Sequence, residues 1–273
     1  MINNKIFIFL LTLTFILLVY NIYYEISLRI ISMRNEKIYL ENKNENLETP
    51  KIVMQTYWDK NLIPKKVYDG IKKYCPGYKH IVYDDEDCVK FLRENYGKEI
   101  TERFLSLKLG AHKADLFRYC WLYKVGGVYM DIKIVLLKNI EEIFKESNKL
   151  YTVVSIKSGY KKILLDLINS GVVFQGIIST PPNNPVFKRL IDRIMMTNDY
   201  KLSLNYLEFT MQFYDEIKNI REDKAEFFQE ICGGEKNKDI ETKDRYGYKC
   251  SIYNKDERIF LTRYPDYPWK LKL

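Results

Sequence analysis

The stretch ADLFRYCWLYKVGGVYMDIK, Ala114–Lys133, decides the fold of this chain. Its first part continues a helical spacing of apolar residues that predicts a helix over Ser106–Val125. Gly126 and Gly127 end that helix, because two glycines allow a sharp turn of the backbone. The apolar run that follows predicts a strand over Val128–Leu137. A helix that returns into a strand across a tight turn indicates an α/β domain.

The same alternation precedes this stretch. Lys51–Trp58 is strand-like, Lys66–Tyr74 has helical spacing, Tyr78–Tyr83 is again strand-like, and Asp87 can cap a further helix. This rhythm predicts a Rossmann-like, mostly parallel sheet flanked by helices. Further strands are predicted over Tyr151–Ile156 and Val172–Ile178, and further helices over Val186–Met196 and Tyr206–Lys218.

Three residues of the deciding stretch are candidates for a binding site. Asp115 and Arg118 lie three positions apart on a helix and therefore project from one face. Asp131 follows a strand, where open α/β sheets place their ligands. A carboxylate can accept hydrogen bonds from sugar hydroxyls, a guanidinium can grip a sugar or a phosphate, and Asp131 can hold a ribose hydroxyl or a divalent cation. Taken one by one, however, these residues fit an ordinary surface ion pair and hairpin aspartate better.

Their order along the chain changes that balance. Ala114–Tyr119 reads A-D-x-x-R-Y, and Tyr123–Asp131 reads Y-x-x-G-G-x-Y-x-D. This order resembles the DXD-containing sugar transferases of glycosyltransferase family 32. Lys51–Trp58 is similar to the first strand of the family. Pro76–Tyr78 and Tyr83–Asp85 are similar to the motif that follows that strand in the family. The resemblance extends over about Pro50 to Leu137 and fades beyond.

The resemblance implies a GT-A fold and transfer of a hexose from a nucleotide-sugar donor to a glycan or glycolipid acceptor, with retention of configuration. It implies that Asp115 and Arg118 contact the donor sugar and that Asp131 is the first aspartate of the DXD motif. Gln55, Thr56, Tyr57 and Trp58 would line the nucleoside pocket, and Gly126, Gly127 and Tyr129 complete the expected substrate-binding residues. Trp269, in the aromatic segment Arg263–Trp269, either stacks on a ring of the donor as part of a flap or belongs to a packed tail.

One residue departs from the family pattern. Lys133 stands where the family has the second aspartate of the DXD motif, and an ammonium group cannot coordinate a cation. A Mn²⁺ or Mg²⁺ cofactor with Asp131 as ligand is expected from the resemblance, and Lys133 puts it in doubt. Either another carboxylate completes the metal site, or Lys133 itself neutralises the diphosphate. A third alternative is an inactive, membrane-tethered protein that binds nucleotide sugars or glycans.

The amino terminus predicts a membrane anchor. Ile6–Tyr24 carries no charge and as a helix would reach about 28 Å, close to the thickness of a bilayer core. The small residues of a signal-peptide cleavage site are missing. The expected organisation is an anchor at 1–31, a stem at 32–50 and a catalytic domain at 51–273. The basic residues after the anchor favour a cytosolic domain, whereas the resemblance favours a type II protein of the Golgi or endoplasmic reticulum lumen in a eukaryote or virus.

Charge and cysteine content bear on three further possibilities: a nucleic-acid partner, a zinc site and disulfides. The net charge is +8, but the basic pairs are short and scattered, so no nucleic-acid partner is predicted. The five cysteines show no metal-ligand spacing, and two histidines give little material for a zinc site. In an oxidising compartment Cys75–Cys88 and Cys232–Cys250 are possible pairs, which the sequence leaves open.

Overall fold

The computed structural model describes residues 6, 8–20, 22, 23, 26, 47–155, 171–241, 243 and 249–268. The chain divides into two compact units, Met1–Glu45 and Asn46–Leu273. In the first unit, residues 8–20 are helical. None of the helices among the described residues is both long and apolar enough to cross a bilayer. Parts of the predicted anchor and residues 32–46 of the predicted stem lie outside the described residues.

The end of the predicted stem is part of the second unit. The backbone N–H and the hydroxyl of Thr49 both donate to the carbonyl of Ser147, each at 2.6 Å. Next to it, Lys51 forms an ion pair with Glu141. These contacts join residues just before the predicted boundary at residue 51 to this unit.

Eight helices of the second unit lie within the described residues, and most occur where the apolar spacing predicts them. Their bounds are α1 Lys65–Tyr74, α2 Asp85–Tyr96, α3 Lys98–Ser106, α4 Gly110–Val125, α5 Ile140–Ile143, α6 Pro185–Met196, α7 Asp199–Leu204 and α8 Glu208–Ile217. The N-cap of α2 is Asp84, not Asp87 as predicted. Asp87 is the third residue of the helix, and the two carboxylates bond each other's backbone N–H in a capping box.

Nine strands in the described residues form one sheet in the order β2-β1-β3-β6-β5-β7-β8-β9-β4. Their bounds are β1 Ile52–Thr56, β2 Lys79–Tyr83, β3 Gly127–Met130, β4 Val135–Leu136, β5 Leu150–Ser155, β6 Val172–Thr180, β7 Ala225–Cys232, β8 Cys250–Asn254 and β9 Glu257–Leu261.

The sheet is mixed, and the prediction of a mostly parallel sheet is wrong. Parallel pairing occurs in β2–β1, β1–β3 and β5–β7, whereas the other neighbouring pairs are antiparallel. The predicted rhythm of strand and helix covers only the part of the chain before Gly127. Beyond it, the short turn between β8 and β9 imposes antiparallel pairing, whereas β6 pairs antiparallel with β3, and β9 with β4, across long stretches of chain.

Apolar side chains cover both faces of the sheet, giving an α/β fold with the sheet in the middle. Met54 and Tyr129 point to one face, where they pack against residues of α2, α4, α6 and α8. Val53 and Val128 point to the other, where they pack with residues of α1 and α5. Successive strand residues alternate between faces, so the parity of a position tells which layer it joins.

The structure contains one of the two disulfides that the sequence leaves open. Cys232 and Cys250 lie opposite each other on β7 and β8 and form a disulfide. Cys75 and Cys88 are both free and buried, so that pairing is not made, and Cys120 is free and buried as well.

Candidate active site

The two glycines after α4 position the site. Both have positive φ, +71° at Gly126 and +97° at Gly127, a backbone conformation that disfavours other residues. A Cβ at Gly126 would lie 2.5 Å from the backbone nitrogen of Pro182, and one at Gly127 would lie 2.9 Å from the carbonyl oxygen of Ile52. The tight turn lets α4 fold back along β3, and this brings Asp115 and Arg118 close to Asp131.

The strand β3 ends at Met130, earlier than the predicted strand, and Asp131 occupies the turn that follows. The backbone N–H of Ile134 donates to the carbonyl of Asp131 at 3.0 Å, and the N–H of Asp131 donates to Gly176 on β6 at 2.8 Å. A Cβ at Gly176 would lie only 3.1 Å from Oδ2 of Asp131. The carboxylate is thus held at the carboxyl end of β3, as predicted for a ligand-binding position.

Arg118 lies between the two carboxylates. Its Nη2 is 3.4 Å from Oδ1 of Asp115 and 3.6 Å from Oδ1 of Asp131. The helix α4 is buried on nearly all sides, contrary to the surface pair that isolated residues suggest, and Asp115 and Arg118 are 7% and 5% exposed. The structure therefore brings three of the predicted site residues together in one buried charged cluster.

The guanidinium is fixed by groups other than the carboxylates. Nη1 donates to the carbonyl of Gln175 at 2.6 Å, and Nε donates to the carbonyl of Ala114 at 3.2 Å. The guanidinium carbon lies 4.3 Å from the centre of the Tyr129 ring. A stacked and hydrogen-bonded guanidinium is preorganised, so little freedom is lost when it binds a ligand.

Asp131 is surrounded by donors. Its Oδ1 accepts a hydrogen bond from the hydroxyl of Tyr129 at 2.6 Å, and its Oδ2 lies 3.3 Å from Nζ of Lys133. The Tyr129 hydroxyl also bonds the side chain of Thr56. Two cations and one hydroxyl therefore share a single carboxylate.

These surroundings move the pKa values of the two aspartates in opposite directions. Burial raises the pKa of Asp115 to about 6, against the opposing charges of Arg118 and His112. Burial alone would raise the pKa of Asp131 too, but the charges of Lys133 and Arg118 outweigh it and hold the pKa below the ordinary value. Two carboxylates with separated pKa values in one buried cluster are typical of a functional site.

Sequence reasoning missed the contribution of β6. Gln175 is 5% exposed, its carbonyl binds Arg118, and its side chain binds the hydroxyl of Tyr119 at 2.6 Å. With its amide turned over, it also donates to Oδ1 of Asp115 at 3.2 Å. The signal was a single glutamine in an apolar strand followed by Gly176, and spacing alone gave no reason to connect it with Asp115.

The structure does not bring Gln55 to this cluster. Gln55 has the parity of Val53 and lies on the opposite face of the sheet from Tyr129. It is fully buried, and its Oε1 is 2.8 Å from Nε2 of His80. Thr56 has the parity of Tyr129 and reaches its hydroxyl, so the first strand contributes to the cluster through Thr56.

The aromatic residues predicted for the nucleoside pocket are near the cluster. Tyr57 and Tyr267 both pack on the cluster that contains Ile132, and Asp131 and Tyr57 both act on the pKa of Tyr267, which burial raises to about 12. Trp58 is 59% exposed, and its ring is 6.1 Å from that of Tyr57. Binding of the nucleoside base by these two rings stays a prediction.

The C-terminal segment lies beside Lys133. The backbone N–H of Tyr264 donates to the carbonyl of Lys133 at 3.0 Å, and the Tyr264 and Tyr267 rings pack on the Ile63, Val67 and Ile132 cluster. These residues belong to a packed segment. Trp269, predicted to stack on the donor, lies outside the described residues.

His112, one helical turn before Asp115, is buried. Its Nε2 is 3.1 Å from the carbonyl of Tyr206, and its ring packs on Phe209. These contacts tie α4 to α8, so the histidine has a packing role as well as acting on Asp115.

The side chains around Asp131 do not fit the divalent cation that a DXD motif implies. Asp131 is the one carboxylate of the motif, and the ammonium group of Lys133 lies on it. Among the residues that the structure describes, three clustered side chains with potential ligand atoms occur at Glu230, Cys232 and Cys250, where the two sulfurs are bonded to each other. A cation at Asp131 would find one protein ligand and a positive charge beside it.

Comparison with known proteins shows which proteins the region around this cluster resembles. Residues 64–150, which contain the whole Asp115–Lys133 region, match the family model described as the glycosyltransferase sugar-binding region containing a DXD motif. The chain is 25% identical over 191 residues to an uncharacterised glycosyltransferase of Acanthamoeba polyphaga mimivirus, covering 70% of this chain and 67% of the viral protein.

Two fungal relatives match shorter parts. Inositol phosphoceramide mannosyltransferase 3 of Schizosaccharomyces pombe is 33% identical over 39% of this chain and 30% of its own length. The initiation-specific alpha-1,6-mannosyltransferase of Candida albicans is 30% identical over 42% of this chain and 32% of its own length. The chain thus spans two thirds of the viral relative but about a third of each fungal one. Residues 64–150 are similar to the sugar-binding region of the DXD-containing glycosyltransferases, and the resemblance to glycosyltransferase family 32 predicted from Ala114–Asp131 is confirmed.

Proposed function

We propose that this chain is a glycosyltransferase that moves a hexose from a nucleotide-sugar donor to a glycan or glycolipid acceptor, with retention of configuration. The observation that carries the proposal is the buried Asp115–Arg118–Asp131 cluster at the carboxyl end of β3, inside the region matched by the sugar-binding family model. The assignment of the mixed sheet to the GT-A fold, with donor binding at this end, belongs to the same proposal.

The geometry supports donor binding because the charged groups are close but not tightly joined. The 3.4 and 3.6 Å separations from Arg118 exceed the roughly 2.7–2.9 Å of a tight charge-assisted hydrogen bond. Oxygens of Asp115 therefore retain capacity to accept hydrogen bonds from sugar hydroxyls. Arg118, which is fixed by Gln175 and Tyr129, can donate to the sugar without moving far.

The proposed transfer needs no protein nucleophile. The acceptor oxygen forms a bond to the anomeric carbon on the face from which the nucleoside diphosphate leaves, and the bond from that carbon to the phosphate oxygen breaks. The acceptor proton passes to an oxygen of the departing diphosphate, so charge and atoms balance. The protein's part is to orient the sugar through Asp115 and Arg118 and to stabilise the charge that grows on the leaving group.

The relatives direct the choice of substrates. Two of them are named for mannose transfer, and one of these for inositol phosphoceramide as acceptor. We therefore propose a mannose donor as the first to test and a glycolipid as the first acceptor. A membrane-anchored catalytic domain facing an oxidising lumen is part of the proposal, and the Cys232–Cys250 disulfide supports the oxidising side.

The test is a donor screen with the purified full-length chain in detergent. Released nucleoside diphosphate is measured for a panel of nucleotide sugars, with and without ceramide-based glycolipid acceptors, and the anomeric configuration of the product is read by NMR. The expected result is acceptor-dependent release with one donor and a product with the donor's configuration. Tight donor binding with no release under any condition would instead establish the inactive binding protein, which Lys133 keeps as the second candidate.

A further inference from the structure

The charge of the donor's diphosphate needs a partner, and in DXD enzymes this is generally a divalent cation. In this chain a lysine ammonium group lies next to the aspartate that would bind the cation. The Nζ of Lys133 lies 3.3 Å from Oδ2 of Asp131, while Oδ1 of the same carboxylate accepts from the Tyr129 hydroxyl. A divalent ion bound to Asp131 would have to displace or sit beside an ammonium group of like charge.

The lysine is held where a cation would be needed. Its carbonyl accepts from Tyr264 at 3.0 Å, its Nζ lies 5.6 Å from the centre of the Phe174 ring, and its side chain is 25% exposed. An ammonium group carries three donors, and the Asp131 carboxylate faces only one side of it. The exposed side can donate to phosphate oxygens, since Lys is a compact point charge suited to phosphate.

Asp115, the other carboxylate of the cluster, does not complete a metal site with Asp131. Nη2 of Arg118 lies 3.4 Å from Oδ1 of Asp115 and 3.6 Å from Oδ1 of Asp131, so the guanidinium already bridges the two carboxylates. A cation that bridged Asp115 and Asp131 would occupy the place of the guanidinium itself. The positive charge at this end of β3 is thus built into the chain as Arg118 and Lys133.

We propose that Lys133 neutralises the donor's diphosphate in place of a divalent cation, so that donor binding and transfer by this chain do not require metal. This inference rests on the proposed transferase function. Lys133 forms no covalent bond, and its ammonium group stabilises the negative charge left when the sugar–phosphate bond breaks. Asp131 acts as a positioning residue that holds the ammonium group toward the site.

The test uses the full-length protein and two readouts, calorimetric binding of GDP and UDP and release of nucleoside diphosphate from the donor, each in EDTA and in Mn²⁺ or Mg²⁺. The wild type is expected to change less than about twofold between these conditions. Lys133→Ala should weaken nucleotide binding and lower kcat/KM by about 100-fold, the size of effect seen when one preorganised charge-stabilising group is removed. Lys133→Arg, which keeps the charge, should retain most of both.

Two variants make the result specific. Lys133→Asp, which restores the second acid of the motif, should bind nucleotide poorly in EDTA and regain binding in Mn²⁺. Lys138→Ala is the matched control, because Lys138 is on the same stretch of chain but pairs with Glu257 at the other edge of the sheet, and it should behave as wild type. Thermal unfolding of each variant separates loss of function from loss of fold.

The outcomes distinguish this inference from the proposed function. Wild-type activity that disappears in EDTA and returns with Mn²⁺ overturns the lysine inference and leaves the transferase standing. Metal-independent nucleotide binding that Lys133→Ala abolishes, with no release from any donor, supports the lysine inference and overturns the transferase. Absence of nucleotide binding with or without metal overturns both.

Discussion

Two clusters of arginine and carboxylate, one buried and one partly buried, are built differently in this protein. In the first, Arg118 stands between Asp115 and Asp131 at 3.4 and 3.6 Å. In the second, Glu216 on α8 meets Arg189 and Arg193 on α6 at 2.5 and 2.8 Å, with one oxygen on each arginine. The second cluster is closed on itself, whereas the first has long contacts and unused acceptor capacity.

The difference teaches how to separate a binding site from a structural ion pair. Short contacts that use both oxygens of a carboxylate hold two helices together and leave little for a ligand. At the first cluster, burial raises the pKa of Asp115 to about 6 because its ion pair is too loose to offset the cost of burial. By linkage, ionised Asp115 costs the fold roughly 3 kcal/mol at neutral pH. A buried carboxylate whose charge costs stability is better explained by function than by folding.

The largest effect is expected from a substitution that breaks the first cluster. Asp115→Asn removes the charge that orients the donor sugar and should lower kcat/KM by about 1,000-fold, equivalent to about 4 kcal/mol. Its unfolding free energy at pH 8 should not fall, because a costly buried charge is removed. Nucleoside diphosphate release and urea unfolding measure the two quantities. Asp69→Asn, at an exposed pair with Lys65, is the control, and a variant with near-normal turnover would refute the role of Asp115.

Next in size is the opposite response at the second cluster. Glu216→Gln leaves two largely buried arginines without their counter-charge and should lower the unfolding free energy by about 3 kcal/mol. Turnover per folded molecule should stay within about twofold of the wild type. Urea unfolding at 25 °C measures the first effect, with exposed Glu222→Gln as control. If Glu216→Gln left stability unchanged and abolished turnover, the second cluster would be the functional one, which would contradict this comparison.

A smaller loss is expected from Arg118→Lys. Lysine keeps the charge but loses the planar fork that reaches Gln175 and Ala114 and stacks on Tyr129. We expect about a 100-fold fall in kcat/KM with weaker donor binding, by the size typical of one preorganised group. Steady-state kinetics and calorimetric donor titration measure it. The exposed Arg93→Lys should change neither quantity.

The smallest effect is a pH dependence that only the first cluster should show. The pKa of Asp115 is raised to about 6, so its charge is lost as the pH falls through 6, and kcat/KM should drop about fivefold from pH 6 to pH 5. Stability should move the other way. The folded state binds the proton more tightly than the unfolded state, so this residue's contribution becomes more favourable between pH 6 and about pH 4. In Asp115→Asn both trends should vanish, and a wild-type profile flat across pH 5–7 would contradict the assignment.

Much of the candidate site could be predicted from the sequence because its signals are local. Asp115 and Arg118 are one helical turn apart, the two glycines mark the turn, and Asp131 follows a short strand. Each of these relations spans a few residues, and helix periodicity and turn chemistry act over that distance. The same locality explains why most helices of the second unit begin within a few residues of their predicted starts.

Other parts of the site depend on residues far apart in the chain. Gln175 reaches Arg118 because β6 pairs antiparallel with β3, a pairing that no local pattern contains. Gln55 lies on the opposite face from Tyr129 because strand parity and the packing of α1 put it there. The mixed sheet has the same origin, since antiparallel pairing in its second half follows from which strands meet.

The sequence by itself determined the α/β class of the chain, the Asp115–Arg118–Asp131 combination and the departure at Lys133. Only the tertiary structure decided that these charges are buried, that Lys133 lies on Asp131, and that Cys232 rather than Cys75 or Cys88 is bridged. The physical reason is that spacing sets which face of a helix or strand a side chain takes. Its burial, its pKa and its partners depend on the neighbours that distant strands and helices bring to it.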